Sequence, residues 1–130
     1  AAVQRIVQRE GLVARVRSEG EVLQALLRES LAGIEAVGDI RGRGFFAGVE
    51  FVADRASKAP FDPSQMLSAR IGRHGNLRGL MCYPISGNID GSRGDAVILA
   101  PPYITSREQL GEIVAIFTES VRAALADIGR

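Results

Sequence analysis

Ile6, Val13, Val16, Leu23, Leu26, Leu27 and Leu31 recur at spacings of three, four and seven, with charged residues filling the positions between them. That is the period of a helix with one apolar stripe, and such a stripe has to be buried against something. A second stripe, Leu110, Ile113, Val114, Phe117, Val121 and Leu125, closes the chain. Two long amphipathic helices at the ends leave only the middle of the chain to supply the surface on which both can pack. Gly11 and Gly20 interrupt the first pattern. Each glycine costs a helix interior about 1 kcal/mol relative to alanine. We therefore expect a break near Gly11 and one helix from there to about Leu31.

The middle reads as short strands separated by glycine and proline. Asp39 to Val52 is rich in aromatic and β-branched residues (Phe45, Phe46, Val49, Phe51, Val52) and predicts one strand, bent at Gly42, Gly44 and Gly48. Ala53 to Pro63 is a loop, and Ser64 is placed to cap a helix reaching about His74. Leu80–Ile85 and Ala96–Ala100 are short strands around a polar loop, Ser86 to Asp95, and Pro101-Pro102 ends the second. Thr105 and Glu108 have the spacing of a capping box for the last helix, which runs to about Asp127.

The expected fold is an α/β (α+β) two-layer domain: a small, mostly antiparallel sheet with helices on one face, the longest at the two termini. Residues 1–130 form a single domain. The start of the chain lies inside a helical pattern and has no initiator methionine, which suggests a piece of a longer polypeptide.

Charge and composition exclude several functions. Sixteen basic against fifteen acidic residues leave a net charge of +1, so no electrostatic pull toward nucleic acid is expected. No apolar run approaches the roughly 20 residues that span a bilayer. The single Cys82 rules out an internal disulfide and fits a reducing, cytoplasmic setting. With one histidine, His74, a metal site lacks ligands, and an exposed place near a helix end is expected for it. Asp90 and Asp95 share a loop, but the acidic ladder of a calcium loop is missing.

The glycines of Gly42-Arg43-Gly44-Phe45-Phe46-Ala47-Gly48 lead into a strand, whereas a dinucleotide fingerprint joins a strand to a helix. A turn and tight sheet packing explain them better. Arg41 and Arg43 alone do not make a nucleic-acid tract. Lys58, the only lysine, sits in a proline-flanked loop, where solvation keeps it from acting as a nucleophile. No catalytic residue is identified. The most suggestive group is Arg93 beside Gly94 and Asp95: a guanidinium on a glycine-rich loop can grip a carboxylate through two parallel hydrogen bonds. Taken alone, the residues favour a surface arginine paired with Asp90 or Asp95.

Three segments in order resemble class III aminotransferases: IVQREGL from Ile6, VGDIRGRGFFAGVEF from Val37 and GDAVILAPPYIT from Gly94. The likeness covers nearly the whole chain and implies the C-terminal small domain of a fold-type I enzyme, with residues 1–32 forming the helix that leads in from a large domain. It implies pyridoxal 5'-phosphate as cofactor, bound by that large domain together with its Schiff-base lysine, both outside this chain. It further implies an amino donor, a keto acid acceptor such as pyruvate, and a homodimer at full length.

Several members of the family place a cation directly before a proline, at the strand upstream of the double proline, where it meets the substrate carboxylate. The matching pair here is Tyr83-Pro84, and the loop before Ser92 is longer. The expectation is that Arg93 binds the substrate carboxylate and Tyr83 lines the pocket. The alternative from the residues is a non-catalytic α/β ligand-binding or interaction module.

Overall fold

The computed structural model describes residues 1–130. Helix α1 (Ala2–Arg9) gives way to helix α2 (Leu12–Leu31) at Gly11, whose φ of 59° suits glycine at the break. Strands β1 (Val37–Arg43) and β2 (Phe46–Phe51) follow, then a 3-10 turn at Pro63–Gln65 and helix α3 (Leu67–Leu77). Strands β3 (Tyr83–Ser86) and β4 (Asp95–Leu99) precede helix α4 (Arg107–Ala126). The four strands form one antiparallel sheet in the order β1-β2-β4-β3. Helices α2, α3 and α4 pack on one face of it, which is the two-layer α+β arrangement expected from the sequence.

Alternation explains the layering. Ala47, Val49 and Phe51 of β2 face the helices together with Val97 and Leu99 of β4, and all five are buried. They join Leu23, Leu27 and Leu31 of α2, Leu67 and Ile71 of α3 and Leu110, Val114, Phe117 and Val121 of α4 in one continuous core. The intervening residues, among them Phe46, Gly48, Glu50 and Ile98, lie on the opposite, helix-free face.

Four local expectations are corrected. The stretch Asp39–Val52 is a hairpin: Gly44, at φ 58°, turns the chain with Phe45 so that Arg43 pairs with Phe46. The glycines marked a bend, but the apolar run hid that it divides two strands. Ser64 does not cap α3; it sits in the 3-10 turn, where Asp62 accepts the Ser64 N–H, and α3 begins after Met66 in a left-handed conformation. The capping box is Ser106–Gln109, one residue beyond the expected pair, because Thr105 is buried and its carbonyl is held by Arg15 at 2.6 Å. Finally, α1 buries none of its residues, so the first part of the N-terminal stripe stays uncovered, with Ile6 41% exposed.

Gly20, inside α2, has a packing role. A Cβ there would lie 2.4 Å from the Gly44 Cα, so the helix and the hairpin turn touch backbone to backbone.

Candidate functional site

The β3–β4 connection is a structured loop. Gly87 N donates to Gly94 O at 2.9 Å, Ile89 N to Arg93 O at 3.0 Å and Gly91 N to Gly87 O at 2.8 Å. Glycine is required at Gly94, with φ 105°, because a Cβ would collide with the Asn88 side chain. Asp90 holds the tip: its Oδ1 accepts the Ser92 and Arg93 amides and its Oδ2 accepts Arg93 Nε at 2.7 Å. Those donors push the Asp90 carboxyl down to about 2, the Arg93 amide contributing most.

Arg93 is thus paired with Asp90, as the residues alone favoured, and Asp95 is elsewhere. Only its Nε is engaged. Neither terminal nitrogen makes a hydrogen bond, and the side chain is 57% exposed. The two-nitrogen edge that matches a carboxylate is therefore open.

Tyr83 lies on the same hairpin at the far end from the loop. It is directly across from Ile98, whereas Ser86 is across from Asp95 at the loop base. Three strand positions, about 10 Å, therefore separate Tyr83 from the start of the loop that carries Arg93. No hydrogen bond joins the two. Tyr83 is 67% exposed, and its pairing with Ile98 places it on the helix-free face of the sheet.

That face carries a polar network. Arg41 Nη1 donates to Asp39 Oδ2 at 2.6 Å and to Glu50 Oε2 at 2.5 Å, while Asn88 Nδ2 donates to Glu50 Oε1 at 2.9 Å. Asn88 is what ties the loop to the sheet. The two carboxylates hold the Arg41 guanidinium well above its ordinary value, Glu50 being the stronger influence. A cleft of about 340 Å³ under the loop is lined by Asp39, Glu50, Lys58 and Asn88. With Asp95 also in the lining, its three carboxylates outnumber the one lysine and make it unsuited to an anion, whereas Arg93 projects on the outer side of the loop.

Sequence reasoning considered Asp95 only as a loop acid and a partner for Arg93, and missed its place under α3. Its carboxylate is buried at the start of β4 and Oδ1 accepts the Ser68 N–H, in the first turn of α3, at 2.8 Å. Glu50 flanked by apolar residues was the one available sign of the network on the open face. The partners Asp39, Arg41 and Asn88 emerge only with the hairpin register.

The other candidates resolve simply. His74 is less exposed than expected, at 16% of its side chain, with Nε2 2.9 Å from Asp127 Oδ2. Burial pushes the Cys82 thiol up, away from the reactive thiolate. Lys58 is exposed and its Nζ donates to Gly38 O at 2.8 Å. With the only lysine outside a desolvated pocket, the residues of this chain do not fit pyridoxal phosphate as a group they could hold by themselves.

The family model described as aminotransferase class-III matches residues 1–121, and the chain belongs to that family. An uncharacterized aminotransferase of Schizosaccharomyces pombe is 42% identical over 96% of this chain, which covers 27% of that protein. An uncharacterized aminotransferase of Bacillus subtilis is 39% identical over 93% of the chain, again 27% of that protein. A PLP-bound aminotransferase mutant from Vibrio fluvialis superposes with a TM-score of 0.82 at 31% identity, covering 94% of this chain and 25% of that one. The chain spans about a quarter of the length of the relatives it matches.

Proposed function

We propose that these 130 residues are the C-terminal small domain of a pyridoxal-phosphate-dependent aminotransferase, contributing part of the wall of its substrate cleft. The whole enzyme would move an amino group from an amine or amino acid to a keto acid such as pyruvate. The cofactor and its lysine belong to a large domain outside this chain, since Lys58 is exposed and engaged with a carbonyl. The cofactor supplies the carbanion stabilisation that the reaction needs, and this chain supplies binding and orientation. Residues 1–32 lead in from the large domain; α1, whose residues are all left outside the core here, supports that role. The intact protein is expected to be a cytoplasmic homodimer.

The observation that carries the site assignment is the open edge of Arg93. Asp90 fixes the side chain through Nε, which leaves both terminal nitrogens to donate in parallel to the two oxygens of a carboxylate. Holding the guanidinium beforehand reduces the rotamer entropy lost on binding. Tyr83 presents a flat, exposed ring on the same hairpin and bounds the cleft on the sheet side.

The test is Arg93→Ala in the intact enzyme. Loss of a charge-assisted pair worth about 1.5–3 kcal/mol raises KM for the keto acid roughly 10- to 100-fold, while KM for an uncharged amine donor changes little. Equal changes for both substrates overturn the assignment.

A further inference from the structure

A groove of about 470 Å³ runs between helix α3 and the outer strand β3, on the helix-covered side of the sheet. Pro84 pairs with Val97, which is buried under the helices, so Pro84 and Cys82 turn toward α3 while Tyr83 between them turns the other way. Gly72 sits opposite Pro84. A Cβ there would come within 3.0 Å of the proline ring, so helix and strand approach closely at that point. Leu77, 76% exposed, completes the apolar part of the groove. Burial pushes the Cys82 thiol up, so the floor carries no charge.

The polar side chains of the groove are Arg73 and Asn76, one helical turn apart on α3 and therefore on the same face. No acid lines it. Arg73 makes one hydrogen bond, from Nη2 to Asp127 Oδ2 at 3.3 Å, and the Asn76 side-chain amide makes none. That carboxylate oxygen is shared: His74 Nε2 reaches it at 2.9 Å and Arg70 Nη1 at 3.6 Å. Arg78, whose Nη1 donates to the His74 carbonyl, adds a fourth basic side chain, and α3 contains no aspartate or glutamate. One oxygen thus serves three basic groups. Arg73 has a longer bond to it than His74 and a more exposed side chain, 63% against 16%. Its Nε and Nη1 are free to donate to a second anion.

Shape and charge together define the ligand. A groove of this volume is in the range that takes a small organic molecule. Side chains one turn apart on a helix have Cβ atoms about 5–6 Å from each other, close enough for a single carboxylate to bridge Arg73 and Asn76. The uncharged floor beyond them suits a short hydrocarbon chain. We propose that the α3–β3 groove binds a small amphiphilic carboxylate, its chain against Cys82, Pro84 and Leu77 and its carboxylate between Arg73 and Asn76. The excess of basic groups around Asp127 favours an anion there, and the absence of any lining acid leaves nothing to repel one. This site is separate from the one assigned to Arg93. β3 presents Tyr83 to the proposed substrate wall and the two neighbours of Tyr83 to the groove, so the two sites lie back to back across one strand.

The experiment uses the intact polypeptide with cofactor, labelled at its leucine methyl groups for NMR, and hexanoate as the probe. Arg93→Ala is the background throughout, so that binding at the proposed substrate wall does not contribute. The expected result is a saturable shift of the Leu77 methyl signals with hexanoate. Acetate, which lacks the chain, and 1-hexanol, which lacks the charge, should each bind about tenfold more weakly or worse. Arg73→Gln should weaken hexanoate by about fivefold or more. Ala69→Trp, which fills the groove from an exposed helix position, should abolish the shift. Tm is read for every variant, and should Ala69→Trp fail to fold, Arg73→Gln carries the test. The absence of a saturable shift at Leu77 overturns the proposal, as does unchanged hexanoate affinity in Arg73→Gln or equal binding of 1-hexanol.

Discussion

The carboxylate of Asp95, at the start of β4, accepts the backbone N–H of Ser68 in the first turn of α3, 27 residues earlier in the chain, at 2.8 Å. Both residues are buried, so water cannot replace the bond. A helix N-terminus leaves unpaired amides and a positive dipole end, and α3 has no capping side chain of its own. Asp95→Ala is expected to cost about 2 kcal/mol, whereas Asp95→Asn, which keeps an acceptor oxygen, should lose less. Urea denaturation of the two variants checks the order; equal losses would mean that packing, and not the hydrogen bond, is being measured.

Gly20 and Gly44 define how closely α2 can approach the β1–β2 hairpin. A methyl group at residue 20 would meet backbone, which cannot swing aside as a side chain can. Despite the better helix propensity of alanine, Gly20→Ala should destabilise the protein by about 1–3 kcal/mol through overpacking. A variant with unchanged or raised Tm would contradict the close contact.

Asp127, the C-cap residue of α4, is the acceptor for His74 Nε2 at 2.9 Å and for Arg73 at 3.3 Å, with Arg70 at 3.6 Å. These neighbours, His74 first, hold its carboxyl below the ordinary range. Because the folded state lowers this pKa, the contribution to stability is complete above the unfolded-state value and fades as pH falls through the folded one. Asp127→Asn should therefore have a lower Tm than wild type at pH 7, the gap closing under strongly acidic conditions. A gap independent of pH would assign the loss to something other than ionisation.

Asp90 offers a sharper titration. With its carboxyl lowered to about 2, the loop hydrogen bonds to Ser92 and Arg93 should survive through the pH range in which a free aspartate protonates, about 3.9. They should be lost only as pH falls through about 2. The amide proton shifts of Ser92 and Arg93, followed by NMR, should move with that midpoint. A midpoint near 3.9 would show that the loop does not hold its turn in solution.

Much of this architecture was legible in the chain. The helical stripes of α2 and α4 and the break at Gly11 follow from periodicity and from glycine, which act within a few residues. Gly42, Gly44 and Gly48 signalled a bend, but Phe45 and Phe46 continue the apolar run across Gly44, so composition did not mark it as a hairpin turn dividing two strands. The cap of α3 could not be read at all: Asp95 reaches Ser68 only after β4 has docked. For the site, Arg93 and Tyr83 were singled out, and the structure places both on one hairpin. The Asp39–Arg41–Glu50–Asn88 network depends on register across two strands and a loop, information that local spacing does not contain.

The central claim is that this chain is an aminotransferase domain without the lysine that binds the cofactor. It is tested most directly by incubating the intact polypeptide with pyridoxal phosphate, reducing with borohydride and mapping the modified peptide. The account predicts one pyridoxyl-lysine adduct per polypeptide, located outside residues 1–130. A stoichiometric adduct at Lys58, or no adduct anywhere, would contradict it.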